Sequence, residues 1–288
     1  MIKLFRRLTI TNGLLVLLVS NVYASDCDID AFYSELMSDS GNYEKVIELA
    51  IPCTEYPDPF LAEFAQTMVG DYYLYEGEEF TRDKEKLEKA FMLYKKAAEQ
   101  GNEFALYQLG IMYQEGLHVG KDILMAKNYF EESAELGNAD AQVQLGIIYG
   151  DPGFINTFFG TLTLDYEKAM YWFKKAAKNE YPNAVAAYNV HVMYLNGWGT
   201  NKNPSVAEEW LKLSAELGDL DAIDEWNKIV AEKRLSCAAL KYRTASDSAV
   251  ADLFLGALDE KSNVEKDRAE KKRQKEIAKC DEFYVNVN

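Results

Sequence analysis

The chain has few prolines, few histidines and no excess of positive charge. These features limit the folds, the chemistry and the partners that it can have. Six prolines and two histidines occur among 288 residues, whereas hydrophobic residues make up 48%. Few prolines and a high apolar content favour helices around a continuous core. Asp and Glu outnumber Lys and Arg by 47 to 31, which gives a net charge of −16. Such an acidic chain is poorly suited to bind nucleic acid or an anionic membrane surface.

Signatures of catalysis are missing as well. The two histidines are His118, in a predicted loop, and His191, at a helical position where a small, packed residue is expected. There is no Gly-rich phosphate loop after a strand and no nucleophile motif. No two Cys or His residues are spaced as a zinc-ligand pair. We therefore predict a protein that is not an enzyme, with no catalytic, metal-binding or cofactor-binding residues.

The first 24 residues have the composition of a targeting signal. Lys3, Arg6 and Arg7 precede a short apolar core at residues 13–19, and residues 22–24 (Val-Tyr-Ala) fit a small-x-small cleavage site. The apolar core is too short to span a membrane. We predict a cleaved signal peptide and a periplasmic or secreted protein; the alternative is a buried N-terminal helix.

A repeated pattern dominates the rest of the chain. The sequence ALYQLGIMY at Ala105 returns as AQVQLGIIY at Ala141, 36 residues later, and weaker copies begin at Ala65 and Ala186. In each unit a second apolar run follows, with small and large residues at spacings of 3, 4 and 8. These spacings are helical, so each unit is predicted to be helix A, a loop and helix B. Self-similarity at this period predicts a stacked repeat protein.

Small residues and caps mark the helices of each unit. Small residues that let helices approach closely are Gly70, Gly110, Gly146, Ala126, Ala169 and Ala207. Predicted N-caps of helix B are Asp122, Asp165 and Asn203, the last followed by Pro204 at N1. Glycines suited to a left-handed C-cap after helix B are Gly101, Gly137 and Gly218, with Glu180 as the exception in the third unit.

On these residues the chain resembles the Sel1-like repeat, a relative of the tetratricopeptide repeat. The motifs that carry the resemblance are Gly197-Trp-Gly199, the helix B sequence from Lys168 to Ala177, and Lys96-Ala-Ala followed by Gly101. The resemblance implies an all-α fold, an α/α superhelical solenoid of helical hairpins that binds other proteins.

Four parts of the chain are distinguished by composition. They are the signal peptide (1–24), an N-terminal helical hairpin that caps the stack (25–59), the repeat solenoid (60–235) and a helical extension (236–288). Within the extension, residues 261–279 hold eight Lys and Arg against four Asp and Glu. This pattern predicts a long basic helix, which is either a solvated surface helix or an arm that reaches the acidic solenoid or a partner.

The four cysteines lie outside the clear repeats. An even number of cysteines in an exported chain indicates disulfides, and three connectivities are possible. We favour Cys27–Cys53 and Cys237–Cys280, because a predicted helical hairpin over residues 29–51 brings the first two cysteines together. The alternative is free, buried thiols.

Helix A offers a candidate binding face. The positions two and six residues after the first Ala of each unit fall on one arc of the helix, away from the packing seam. In three successive units they form an apolar ladder: Tyr107, Ile111, Val143, Ile147, Tyr188 and Val192. The ladder is expected to line a peptide groove, or else to pack between adjacent A helices. A second candidate is the aromatic insertion at residues 154–159.

We accordingly predict an exported scaffold or regulator that binds a partner protein segment on the solenoid surface. The alternative is a cell-envelope enzyme acting on peptidoglycan-like substrates, as proposed for some cysteine-rich relatives of the repeat family. A third possibility, a structural component that stacks with itself, would need an uncapped apolar end, whereas both ends are predicted to be capped.

Overall fold

The computed structural model of the protein describes residues 27–38, 42–76, 79–150, 164–254, 268, 271–272 and 274–281. The predicted signal peptide and the aromatic insertion at 154–159 lie outside the described residues, and so does much of the basic segment 261–279.

Helical hairpins follow one another along the chain, as the repeat predicts. The α-helices are α1 (Ile29–Leu36), α2 (Tyr43–Ala50), α3 (Pro59–Leu74), α4 (Lys84–Glu99), α5 (Glu103–Glu115), α6 (Ile123–Leu136), α7 (Ala139–Gly150), α8 (Tyr166–Ala177), α9 (Ala184–Asn196), α10 (Pro204–Glu216) and α11 (Leu220–Phe254). Helices α3, α5, α7 and α9 are the A helices, and α4, α6, α8 and α10 are their B partners. Each B helix packs against its own A helix and against the next helix along the chain, which makes an all-α solenoid.

Local capping chemistry sets the helix ends. The side chains of Asp122, Asp165 and Asn203 accept hydrogen bonds from backbone amides in the first turns of α6, α8 and α10, so all three predicted N-caps are confirmed. Gly137 ends α6 with a φ of 116°, a left-handed conformation that favours glycine.

Close contact between helix A and helix B explains the small residues of the repeat. A β-carbon built at Gly110 would lie 2.5 Å from the ring of Phe130, and one at Gly146 would lie 2.5 Å from the ring of Phe173. A glycine on α5 or α7 thus makes room for an aromatic ring on α6 or α8. The small residues near the start of the last three B helices are fully buried: Ala126, Ala169 and Ala207.

The fourth unit fills the same contact in a different way. His191 stands where the other A helices have glycine, and it faces α10, in which Leu211 replaces the aromatic residue. The ring is buried, and its Nδ1 lies 2.7 Å from the carbonyl oxygen of Ala207. Because a carbonyl can only accept, Nδ1 carries the hydrogen. Nε2 lies 3.5 Å from the carboxylate of Glu225 on α11.

The N-terminal end is closed by the predicted hairpin and by an unpredicted turn of helix. Cys27 and Cys53 are in disulfide contact, with sulfur atoms 2.01 Å apart, which supports the favoured pairing. After α2 the chain forms a 3₁₀ helix (Ile51–Glu55) that packs on α3. Between α3 and α4 lies an antiparallel ribbon of two short strands, β1 (Tyr75–Glu76) and β2 (Glu79–Phe80), which the helical pattern did not predict.

The C-terminal end is closed by a single long helix. Helix α11 continues through residue 235, where the sequence suggested the end of the solenoid, and it buries Ala222 and Val230 near the stack. Cys237 on α11 is in disulfide contact with Cys280, with sulfur atoms 2.15 Å apart. Residues 274–281 are helical, so this contact holds the end of the basic segment to α11.

Candidate protein-binding face

One surface of the solenoid is formed by the same two positions of every A helix. We call this surface the A face and define it by the residues two and six positions after the first Ala of each unit. Its members are Thr67, Asp71, Tyr107, Ile111, Val143, Ile147, Tyr188 and Val192.

The predicted ladder on the A face is divided by burial. Ile111 and Val143 each retain only 8% of their surface and belong to the cores between units, as the packing alternative expects. The other four ladder side chains remain partly exposed: Tyr107, Ile147, Tyr188 and Val192. Tyr107 and Ile147 also pack against these cores, so the packing role applies to at least four of the six residues. A partner-binding role stays a prediction for the four side chains that remain partly exposed.

The two ladder tyrosines pack their rings and direct their hydroxyl groups to polar neighbours. The ring of Tyr107 lies 5.8 Å from that of Phe130. Burial, followed by the nearby charge of Asp140, raises the pKa of Tyr107 to about 12. The hydroxyl of Tyr188 donates to Glu225 at 3.2 Å, and its pKa is raised by burial and then by that carboxylate. The ring of Tyr188 lies 5.6 Å from that of His191, so both tyrosines combine a packed ring with a polar neighbour.

The first unit gives the A face a polar end. Asp71 occupies the position that holds Ile111, Ile147 or Val192 in the later units. Its Oδ1 accepts a hydrogen bond from the hydroxyl of Tyr94 at 2.5 Å and another from Nε2 of Gln108 at 3.1 Å. Burial is the largest influence on this carboxyl group and raises its pKa to about 6, against the two hydrogen bonds that lower it.

Sequence reasoning did not single out Asp71, although the repeat register contains the signal. Ala65 opens the first unit, and the sixth residue after it is Asp71, just as Ile111 is the sixth after Ala105. The ladder is defined by its apolar members, so it does not include a carboxylate in the same register. The partners of Asp71 come from α4 and α5, which no single repeat unit reveals.

A separate groove lies beside the N-terminal end of the stack. It has a volume of about 630 Å³. Its apolar part is formed by Ile51, Val69, Met92 and Leu93, and Glu85 and Glu88 on α4 are among the polar residues that line it. Ile51 and Thr54 of the 3₁₀ helix line one side of the groove.

The described part of the chain contains neither a candidate membrane span nor a candidate metal cluster. No helix there is both long and apolar enough to cross a membrane. No group of three or more His, Cys, Asp or Glu side chains there could hold a metal ion.

Stacked two-helix units with a Gly-aromatic contact define a helical repeat protein of the α/α solenoid class. The Sel1 repeat model matches the chain four times, at residues 64–102, 104–138, 139–181 and 184–219, which is more than half of its length. The chain therefore belongs to the Sel1 repeat family. Proteins with these repeats generally mediate protein–protein interaction.

Solved structures give the same fold. The chain is 26% identical to a Sel1 repeat protein from Oxalobacter formigenes, with a TM-score of 0.55, and the match covers 71% of this chain and 75% of that one. It is 25% identical to a protective antigen of uropathogenic Escherichia coli with an SLR fold, with a TM-score of 0.50. That match covers 70% of this chain but only 43% of the antigen. No curated protein sequence matches the chain significantly.

Proposed function

We propose that this protein is an exported, non-enzymatic scaffold or regulator that binds a segment of a partner protein along the A face. The observation that carries the proposal is the register of partly exposed, mainly apolar side chains on successive A helices: Tyr107, Ile147, Tyr188 and Val192. A solenoid repeats one surface at regular intervals, and such a surface suits an elongated ligand.

Export is supported by two independent features. Residues 1–24 have the composition of a cleavable signal peptide. Both cysteine pairs lie at bonding distance, and disulfides persist in oxidising compartments such as the periplasm or the extracellular space. We expect the mature protein to begin at Ser25. We also expect non-reducing peptide mapping to recover Cys27 linked to Cys53 and Cys237 linked to Cys280. A mature chain that begins at Met1, or one that carries free thiols, would contradict export.

Binding to the A face can be tested without knowing the partner. A displayed library of random peptides is selected against the mature protein, and the enriched peptides are measured against variants. We expect Tyr107→Ala with Tyr188→Ala to weaken binding by about tenfold or more, since aromatic anchors dominate interface energies. Tyr171→Ala, which removes an exposed tyrosine from α8, is the matched control and should bind as the native protein does.

The stability of the double variant must be measured alongside binding. The two rings are partly buried, so we expect a moderate fall in melting temperature but a folded protein at the assay temperature. Tyr107→Phe with Tyr188→Phe keeps both rings and removes only the hydroxyl groups. Enriched peptides that bind the folded Ala variant as tightly as the native protein would exclude the A face. A selection that enriches no peptide at all would contradict the proposed function itself.

A further inference from the structure

We propose that Asp71 is the binding site for a cationic group, an ammonium or a guanidinium, carried by the segment that lies on the A face. This inference rests on the proposed function and gives the chemistry of the partner at one end of that surface.

The carboxylate of Asp71 is fixed in place with one oxygen available. Two donors from different helices, Tyr94 on α4 and Gln108 on α5, both hold Oδ1. Gln108 is itself buried and accepts a hydrogen bond from the hydroxyl of Tyr75 at 3.2 Å. Within the described residues Oδ2 has no hydrogen-bond partner, and this oxygen is not fully enclosed by the protein. Oδ2 therefore keeps some contact with solvent and can accept a hydrogen bond while Tyr94 and Gln108 hold the side chain in position.

The charge of Asp71 has no counter-ion in the part of the chain that the structure describes. No Lys, Arg or His there forms an ion pair with it, although it is mostly buried. Removing a carboxylate from water is unfavourable unless a partner compensates its charge. Hydrogen bonds from Tyr94 and Gln108 compensate only in part, since burial still dominates and raises the pKa. A bound cation would supply the missing compensation, and a perturbed, uncompensated carboxyl group is a typical mark of a binding site.

Exposed tyrosines near Asp71 would favour a cation further. Tyr43 and Tyr72 are 46% and 38% exposed, and their ring centroids are 6.4 Å apart. Burial is the largest cause of the raised pKa of Tyr43, and the nearby charge of Asp71 raises it further. Lysine and arginine groups bind favourably over tyrosine rings. Aromatic rings and a carboxylate together select a cation over a neutral group of the same size.

The register of Asp71 predicts the composition of the ligand. Asp71 holds the position that is apolar in the later units, so it forms a charged end of an otherwise mainly apolar A face. We therefore expect ligands with a Lys or Arg near one end and apolar side chains along the rest.

The site can be tested directly with n-butylammonium as the probe and n-butanol as its neutral match. The titration of Asp71 is followed by carboxyl-carbon NMR in the mature protein. We expect butylammonium to lower the pKa of Asp71 from about 6 to about 5, because a bound cation favours the ionised form. Butanol should have no such effect. A titration curve of Asp71 that does not change with saturating butylammonium overturns the proposal.

The peptide selection gives a second, separable test. We expect peptides enriched by the native protein to carry Lys or Arg at one end, and Asp71→Asn to bind them about tenfold more weakly. The amide can still accept hydrogen bonds from Tyr94 and Gln108, so the fold should be kept. Glu132→Gln, which removes an exposed carboxylate from α6, a B helix, is the matched control and should leave binding nearly unchanged. Enriched peptides without a basic residue, or equal losses in both variants, overturn the Asp71 site while leaving the A face as the binding surface.

Discussion

The second and fourth units fill the same helix contact with a ring from opposite helices. In the second unit Gly110 on helix A leaves room for Phe130 on helix B. In the fourth unit the ring belongs to helix A, as His191, and helix B has Leu211 in place of the aromatic residue. The comparison indicates that either helix can supply the ring, provided that the other does not also carry one. A close-packed interior has no room for two.

Gly110→Val should have the largest effect, because it adds volume where none is free. The new β-carbon would lie 2.5 Å from the ring of Phe130, which is itself fully buried. We expect a loss of about 3 kcal/mol of unfolding free energy, the upper end for overpacking. Urea denaturation measures it. Gly120→Val is the matched control, since a β-carbon there meets nothing within 4 Å. If the two variants proved equally stable, the Gly110–Phe130 contact would be wrong.

Asp71→Asn should change the pH dependence of stability. Asp71 has a pKa of about 6 in the folded protein, above its ordinary value of 3.8, so the folded state binds this proton more tightly than the unfolded state. Stability from this group is therefore fully present below about pH 4 and is lost as the pH rises through about 6. The facing groups are Tyr94, Gln108 and Tyr75, with Tyr43 close by.

The difference between native and Asp71→Asn protein isolates this effect from other carboxylates. Near pH 7 we expect the variant to be more stable by roughly 2 kcal/mol, with the advantage disappearing by about pH 4. Urea midpoints measured from pH 4 to pH 7 check the result. A variant less stable than the native protein across that whole range would show that the carboxylate is compensated in the fold.

The fourth unit provides the smallest and most discriminating test. His191→Gly removes the ring from helix A, and we expect it to cost about 2 kcal/mol through the cavity and the loss of helix propensity. Adding Leu211→Phe should recover about 1 kcal/mol, because the double variant has the distribution found in the second unit. Thermal unfolding of the single and double variants gives the coupling. Strictly additive effects would contradict the exchange of the ring between the two helices.

Local signals predicted most of the fold, and contacts between units account for what was missed. The caps at Asp122 and Asp165 and the glycine after α6 depend on residues a few positions away, so the sequence alone predicts them. The Cys27–Cys53 pairing followed from a hairpin that is also local. By contrast, the burial of Ile111 and Val143 depends on how one unit packs against the next, which periodicity leaves open.

The candidate site was predicted only in outline for the same reason. Repeat phase puts the same two positions of every A helix in one register, but it does not tell which of these side chains remain exposed. Asp71 acquires its character from Tyr94 and Gln108, which are 23 and 37 residues away in the chain. The ribbon between α3 and α4 was missed because its strands have two residues each, too short to show alternation.

The cysteine pairs at the two ends alter how this array can come apart. Terminal units of a helical array ordinarily fray first, because each has a neighbour on one side only. Here loops of 26 and 43 residues are closed at the two ends, around Cys27–Cys53 and Cys237–Cys280. The disulfides therefore oppose unfolding of the terminal units. We expect the least stable unit to be the third, which has Glu180 where the others have a capping glycine. We expect a protease to nick the oxidised protein in its middle and the reduced protein at its tips.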